Sequence, residues 1–386
     1  MDFSLNEDQE ALRDLVRKVM TEQATDEYLR ELDEESRYPY ELYETWVQTG
    51  LLTLPFPEEV GGLGGSVVDF VLVAEEIGRR GYDLTGVYGV PVFNGLNILH
   101  HGTSEQQQRF LPALLRGELR LSIAMTEPDA GSDAGAMRTT AVRDGDSFVI
   151  NGEKVFASGA AVDHTVISVY CRTDPTARNS AALSCLLVDN DSPGLEIRPM
   201  HTLGRHMFPT TQLFFDDVRV PADRLLGPLH GGFGVMVSGL QLERIVTSAA
   251  YVGNAQTVVD EALAYATQRR QFGTRIGDFQ VIAHMLVDMQ TKVDAARLLT
   301  YRAAWMLDQG KDALTEISMA KLFGSEAFLE VANDGMQILG GYGYTMEYAM
   351  QRHLRAARGS TITAGTSQMQ RETIARRMGL VTRPRR

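Results

Sequence analysis

Apolar positions along the chain fall into three successive regimes. In the first they recur every three or four residues. Ser4 and Glu7 fit a capping box, after which Leu12, Leu15, Val16, Val19 and Met20 form one stripe of an amphipathic helix. Pro39 is expected to open a second short helix and Gly50 to close it. Residues 51–66, LLTLPFPEEVGGLGGS, read as a loop, and helical spacing resumes over residues 70–80, 92–101 and 104–115. Near Leu121 the period shortens. LSIAM, TTAVR, SFVIN, HTVISVYC, ALSCLLV and TQLFFDDV are rich in β-branched residues and are separated by turn signals such as Asn151-Gly152 and Ser192-Pro193-Gly194. No helical segment intervenes, so an antiparallel sheet or small barrel is predicted, not a parallel one. From Gly232 the helical period returns over residues 232–270, 278–309 and 315–339, with Gly340-Gly341 as the stop. Helices of that length suggest a four-helix bundle. The expected class is α+β: a helical region at 1–120, a β region at 121–230 and a helical region at 231–386.

One stretch stands out from this pattern. Residues 232–259, GFGVMVSGLQLERIVTSAAYVGNAQTVV, lack proline and carry charge only at Glu243 and Arg244. Phe233, Met236, Leu240, Thr247 and Tyr251 recur at helical spacing, and Val237, Ile245, Val246 and Val252 fill the other sides. A helix apolar nearly all round is expected to be buried. Glu243 therefore falls inside an apolar row, where a carboxylate must find a partner, stay protonated or do chemistry. A structural ion pair, a helix that bends into solvent at this point and a catalytic role are all open readings.

Composition narrows the functional classes. The net charge of −13 argues against a nucleic-acid binder and against an anionic membrane surface as main partner. No apolar run reaches transmembrane length, and the acidic start MDFSLNEDQE does not read as a signal peptide. Cys171 and Cys185 are the only cysteines and make no disulfide scaffold, so a reducing cytoplasm is expected. The histidines show no metal-ligand spacing.

Several motifs could hold a ligand. Residues 125–133, MTEPDAGSD, offer hydroxyls at Thr126 and Ser132 beside glycine-permitted backbone donors. Residues 268–273, QRRQFG, set two arginines before a helix break, where solvated charge and a phosphate clamp are both open readings. Residues 337–341, QILGG, permit close backbone approach, and residues 364–370, AGTSQMQ, run into a helix N-terminus suited to an anion. The glycine clusters match neither G-x-x-x-x-G-K-[ST] nor a strand-led G-x-G-x-x-G.

In order, MTEPDAGSD, NGEKVFAS, FFDDVRVPADRLLG, RRQFGTRIGDFQ, QILGGYGY and AGTSQMQR resemble the acyl-CoA dehydrogenase family over essentially the whole chain. The resemblance implies an N-terminal helical domain, a middle antiparallel β-barrel domain and a C-terminal four-helix bundle, with FAD between the last two and assembly as dimers or tetramers. By position, Met125 and Thr126 are expected to meet the flavin ring, with Phe156, Ala157 and Ser158 backing its other side. Ser132 is expected at the thioester and near the cofactor, and Thr366 and Gln368 at the FAD phosphates or ribose. Arg269, Phe272, Gln280, Gln337, Gly340 and Gly341 are expected to reach the adenine half, partly across a subunit boundary. Gln241, Arg244 and Gly365 are expected beside the acyl-CoA, and Arg244 either orients the loop or the ligand or forms a structural salt bridge.

The implied chemistry is transfer of a hydride from Cβ to flavin N5 with removal of the Cα proton, which gives a trans-2-enoyl-CoA. Most members carry the base as the glutamate of a Glu-Gly-Thr loop. Here that loop reads Ala364-Gly365-Thr366. The isovaleryl-CoA and long-chain types instead place the glutamate on the bundle helix in a Leu-x-x-Glu-Arg context, which matches Leu240-Gln-Leu-Glu243-Arg244. Glu243 is therefore the expected base, and the backbone N–H of Ala364 the expected donor to the thioester oxygen. An electron-transferring flavoprotein or similar acceptor is the implied redox partner, and a short or branched acyl group the implied substrate. Three alternatives stand beside this: a functionalised acyl-CoA of the crotonobetainyl, carnitine-pathway type; a carrier-protein thioester; and a non-catalytic flavoprotein or partner subunit.

Overall fold

The computed structural model describes residues 4–177 and 179–380, so the first three residues of the acidic N-terminal stretch lie outside the described residues. The N-terminal third carries the helices α1 (Glu7–Gln23), α2 (Asp26–Glu35), α3 (Tyr40–Gln48), α4 (Val67–Gly78), α5 (Tyr82–His101) and α6 (Ser104–Leu115). The strands β1 (Arg120–Ala124), β2 (Thr140–Asp144), β3 (Ser147–Ser158), β4 (Thr165–Arg172), β5 (Leu183–Asp189), β6 (Leu195–Pro199), β7 (Thr210–Pro221) and β8 (Leu225–Leu226) follow. The chain then forms α7 (Gly232–Gln268), the short strands β9 (Arg270–Gln271) and β10 (Thr274–Arg275), and α8 (Gln280–Asp308), α9 (Leu314–Leu339), α10 (Met350–Ser360) and α11 (Ser367–Arg377). Two compact units result. One comprises the chain up to Glu31, Ser66–Gly86 and everything from Arg244; the other comprises Leu32–Gly65 and Val87–Glu243. The division falls inside α7.

The β-bearing unit is built on a sheet in the order β6-β7-β3-β2-β4-β5-β8. Its core joins alternate residues such as Phe148 and Ile150 of β3, Ile167, Val169 and Cys171 of β4, and Leu186 and Val188 of β5. Most pairings are antiparallel, but β1 pairs with β4 in parallel over five residues, from Arg120↔Thr165 to Ala124↔Val169, and β2 meets β4 in parallel at Thr140↔Arg172. A purely antiparallel sheet is thus corrected to a mixed one. The β2–β3 hairpin stands between β1 and β4 in sequence and supplies the long crossover that a parallel pair needs.

The helical unit has its own core around Tyr251, Val258, Phe328, Val331 and Met350. Its α7 crosses α4 closely: a Cβ at Gly253 would lie 2.0 Å from the Glu75 carbonyl oxygen, and one at Gly78 would lie 2.7 Å from Ala250 Cα. Only glycine permits that approach. Glu75 and Glu76 of α4 are buried there, paired with Arg297 of α8 at 2.9 Å and Arg17 of α1 at 2.8 Å.

Two local expectations are corrected. The capping box of α1 is made by Asn6 and Gln9, not Ser4 and Glu7. Both pairs have the required spacing, and only the backbone decides which is used. The first turns of α7 are not buried all round, since Phe233 is 41% exposed and Val237 to Arg244 are half-buried apart from Gly239; continuous burial begins near Ile245.

Candidate active site

The expected residues gather in three groups. The first lies in the β-bearing unit, where the loop after β1 is pinned from beneath. Lys154 is fully buried on β3, and its Nζ donates to Glu127 Oε1 at 2.7 Å and to the Met125 carbonyl at 3.1 Å. The Glu127 carboxylate also accepts from the backbone N–H groups of Arg138 and Thr139, at 2.5 and 2.9 Å. Burial works against this carboxylate. The Lys154 ammonium and the N–H donors outweigh it and hold the carboxyl below its ordinary range. The Val155 N–H donates to the Thr126 carbonyl at 2.9 Å, which completes the attachment of half-buried Met125 and Thr126 to β3.

Phe156 owes its position to a bulge. Between Lys154↔Leu213 and Ala157↔Thr211, β3 carries one more residue than β7. The extra residue breaks alternation: Val155 is buried, whereas Phe156 is 60% exposed at φ +60°. Ala157 packs its methyl group into the core of the β unit, so only its main chain is open to a ligand. The Ser158 carbonyl accepts from Ser122 Oγ at 2.7 Å, and its hydroxyl meets Thr210 Oγ1 at 3.3 Å. Ser132 lies exposed in the loop.

The second group surrounds the turn before α11. Ala364 has φ +55° and Gly365 φ +88°. Arg244 Nε donates to the Ala364 carbonyl at 3.1 Å, and Gln370 Nε2 donates to the Ala364 and Gly365 carbonyls at 3.3 and 2.9 Å. Thr366 caps α11 by accepting from the Met369 N–H at 3.2 Å, which leaves its own O–H proton to donate elsewhere, and Gln368 is exposed in the first turn. Arg244 thus contacts the loop through the Ala364 carbonyl. Glu243 precedes it on α7 and is half-buried, as is Gln241.

The third group lies at the far end of the helical unit. β9 and β10 form a hairpin whose turn, Phe272-Gly273, has φ +51° and +82°. Phe272 is 95% exposed, edge-on to Phe279 at 6.2 Å, and Gln280 follows as the first residue of α8. The Arg269 guanidinium lies 5.7 Å from the ring centre of Tyr342, which continues from the exposed Gly340 and Gly341, with Gln337 exposed one turn earlier. The Arg269–Tyr342 contact sets the start of the hairpin beside the turn after α9.

Backbone strain marks all three groups. Among the described residues, eight non-glycine positions have positive φ, and Phe156, Phe272 and Ala364 are three of them. Such conformations cost of order 1–3 kcal/mol and cluster at ligand sites. Two of the three present a bare aromatic face, which suits a planar aromatic cofactor. Sequence reading did not single out Glu127, Lys154 or Gln370. Lys154 gave a usable signal, since it shares the inward parity of Phe148 and Ile150 on β3; Gln370 gave none.

Models of the acyl-CoA dehydrogenase N-terminal, middle and C-terminal domains match residues 6–118, 122–218 and 230–379. The chain is 37% identical to the caffeyl-CoA reductase–Etf complex subunit CarC of Acetobacterium woodii, over 96% of this chain and 98% of that one. It superposes on butyryl-CoA dehydrogenase from Megasphaera elsdenii with a TM-score of 0.93 and 30% identity, covering 98% of this chain and 100% of the other. It also superposes on an FAD complex of PigA, with a TM-score of 0.92, 28% identity and coverage of 98% and 100%. With its N-terminal helical, middle β and C-terminal helical domains, the chain belongs to the acyl-CoA dehydrogenase family, a family of oxidoreductases.

Proposed function

We propose that this chain is an FAD-dependent oxidoreductase of the isovaleryl-CoA-like type, which interconverts an acyl-CoA and its trans-2-enoyl-CoA with Glu243 as the base at Cα. The hydrogen bond from Arg244 to the Ala364 carbonyl carries the reading. Ala364 has no carboxylate to offer, and the residue before Arg244 on the same helix does. A hydrogen-bonded Ala364 at fixed φ also has a fixed N–H direction. That N–H is a donor for the thioester oxygen, on which charge develops as the Cα proton leaves.

When bound, FAD supplies the hydride acceptor for Cβ. The exposed Phe156 ring, Met125, Thr126, Ser158 and the Ala157 main chain suit its ring system. The free proton of Thr366 and the N-terminus of α11 suit its phosphates. Arg269, Phe272, Gln280, Gln337, Gly340 and Gly341 suit its adenine half. Ser132, Gln241 and Gly365 are assigned to the acyl-CoA. Anaerobic flavin bleaching with a panel of acyl-CoAs tests the reading, and no bleaching by any thioester overturns it.

Similarity to a caffeyl-CoA reductase subunit favours a second reading, in which the same residues work in the reducing direction on an enoyl-CoA. Glu243 then returns the proton to Cα. Reoxidation of the chemically reduced protein by enoyl-CoAs distinguishes it. The same similarity to an Etf-complex subunit supports an electron-transferring flavoprotein as partner. On α8, Val281, Val287, Leu298 and Trp305 are 50–66% exposed, which supports a homo-oligomer, either dimer or tetramer. Light scattering on the holoprotein reads this directly. Among the described residues no helix is long and apolar enough to cross a membrane. We assign the protein to the cytoplasm on the composition of the chain.

A further inference from the structure

A wholly buried cation stands behind the Ala364 turn. Lys321 of α9 is 0% exposed, and its Nζ donates to the Ser360 carbonyl at 3.0 Å. Ser360 is the last residue of α10. The carbonyls of a last helical turn lack intrahelical partners, and a cation there complements the helix dipole. Tyr251 of α7, also 0% exposed, donates its hydroxyl to the same carbonyl at 3.3 Å. The Ser360 hydroxyl in turn reaches the carbonyl of Ser325, one turn after Lys321 on α9, at 3.1 Å. Further along, the Tyr82 and Thr363 hydroxyls meet at 3.2 Å.

Only three residues separate Ser360 from Ala364, and the link is held at both ends. Lys321 and Tyr251 fix its start, and Arg244 and Gln370 fix its finish. Between the two pins lie Thr361, Ile362 and Thr363, and the Ser367 N–H closes the turn on the Thr361 carbonyl at 3.0 Å. A link this short transmits the position of one end to the other. A hydrocarbon side chain would fill the space of Lys321 at less desolvation cost but would not hold the carbonyl.

We propose that Lys321 is a positioning residue: by gripping the Ser360 carbonyl it sets the direction of the Ala364 N–H toward the thioester oxygen. The inference rests on the assignment of Ala364 as that donor. Lys321 itself touches neither substrate nor cofactor. Its contribution is confined to the state in which charge sits on the oxygen. Ground-state binding of the acyl-CoA depends on many other contacts and is little affected.

The test uses the FAD-loaded protein and a 3-thiaacyl-CoA. In this thioester sulfur replaces Cβ, so the Cα proton can leave but no hydride can follow. Deprotonation is read from the long-wavelength absorbance of the bound complex as pH is varied. Lys321→Met is expected to retain FAD and to bind the probe within about threefold of wild type. It raises the pH midpoint of deprotonation by about one unit, the equivalent of a tenfold poorer stabilisation of the anion. Tyr251→Phe keeps the packing and shifts the midpoint in the same direction by less, and it serves as the readout should Lys321→Met not fold. Lys321→Arg, which keeps a donor at the carbonyl, restores most of the midpoint. An unshifted midpoint in Lys321→Met, or in Tyr251→Phe where that variant is the readout, overturns the proposal. So does a loss of affinity with no change in midpoint. If wild type itself does not deprotonate the probe, the functional reading falls and the positioning role with it. If wild type does and Glu243→Gln does not, that reading stands and the midpoints of the other variants decide the role of Lys321.

Discussion

The loop after β1 and the turn before α11 hold main chain in place by opposite means. Beneath the loop a charge meets a charge: Lys154 and Glu127 form an ion pair at 2.7 Å, 0% and 6% exposed, and its unused capacity is taken up by backbone groups. At the turn the donors meet carbonyl oxygens instead. Arg244, Gln370, Lys321 and Tyr251 all donate to carbonyl oxygens at the two ends of one short link. A buried ion pair is robust while whole and costly when broken, because the survivor is an uncompensated charge. Donors on carbonyls are individually weaker and divide the task among themselves, so losing one displaces the link before it unfolds anything. The first arrangement belongs to scaffold, and the second allows the geometry of the turn to be tuned.

Substitutions at both places sharpen this contrast. The largest effect is expected at the residue beside the Arg244 grip. Glu243→Gln is expected to lower acyl-CoA-dependent flavin reduction by about 10²–10⁴-fold while FAD and ligand still bind. Stopped-flow absorbance checks this, and a rate near wild type removes Glu243 as the base. Next comes the ion pair. Lys154→Met strands the Glu127 carboxylate and is expected to cost about 3–5 kcal/mol of stability in denaturant titration. A cost below about 1 kcal/mol would erase the distinction between the two regions.

The same pair has a pH signature. Because the folded Glu127 carboxyl lies below its ordinary range, its contribution is present above the unfolded value and is lost as pH falls through the folded one. The stability gap between wild type and Glu127→Gln therefore narrows on acidification below about pH 4. A gap that widens there contradicts the assignment. At the turn, Gly365→Ala forces a Cβ into φ +88° and to 2.8 Å from Gln370 Nε2. It is expected to cost about 1–2 kcal/mol in stability and to slow flavin reduction, with kcat falling more than KM rises. The smallest effect on stability belongs to Phe272→Gly, which relieves the strain at φ +51°. It is expected to change stability by less than about 1 kcal/mol. FAD retention on dilution nevertheless falls, and retention equal to wild type would remove Phe272 from the adenine site.

Much of the scaffold was legible because hydrophobic period and element type are both local. Spacing located α4, α6, α8 and α9 to within a few residues, and Gly340 marks the end of α9 as read. α10 was missed because Gln351, Arg352 and His353 are buried in it, so burial there does not follow apolarity. α2 was missed because its sequence, DEYLRELDEE, shows acid more strongly than stripe. β6 and β8 were missed as well; β8 spans only two residues, Leu225 and Leu226. Of the candidate site, the motifs gave the residues through family resemblance. They did not give the bulge that exposes Phe156, the ion pair under Met125 or the grip on Ala364. Each of these depends on partners distant in sequence, such as Lys154 with Glu127 and Arg244 with Ala364.

By itself the sequence determined the order of helical, β and helical regions, the absence of a carboxylate at position 364 and the presence of one at 243. Those follow from side-chain chemistry and from periods of two and 3.6 residues, which need no knowledge of what lies across the fold. The parallel pairing of β1 with β4, the choice of Asn6 over Ser4 as cap and the left-handed backbone at Phe156, Phe272 and Ala364 were decided only by tertiary structure. Register and strained φ are set where two distant segments must both be satisfied. The lowest-energy compromise between such segments is a property of the whole packing and is written at neither position alone.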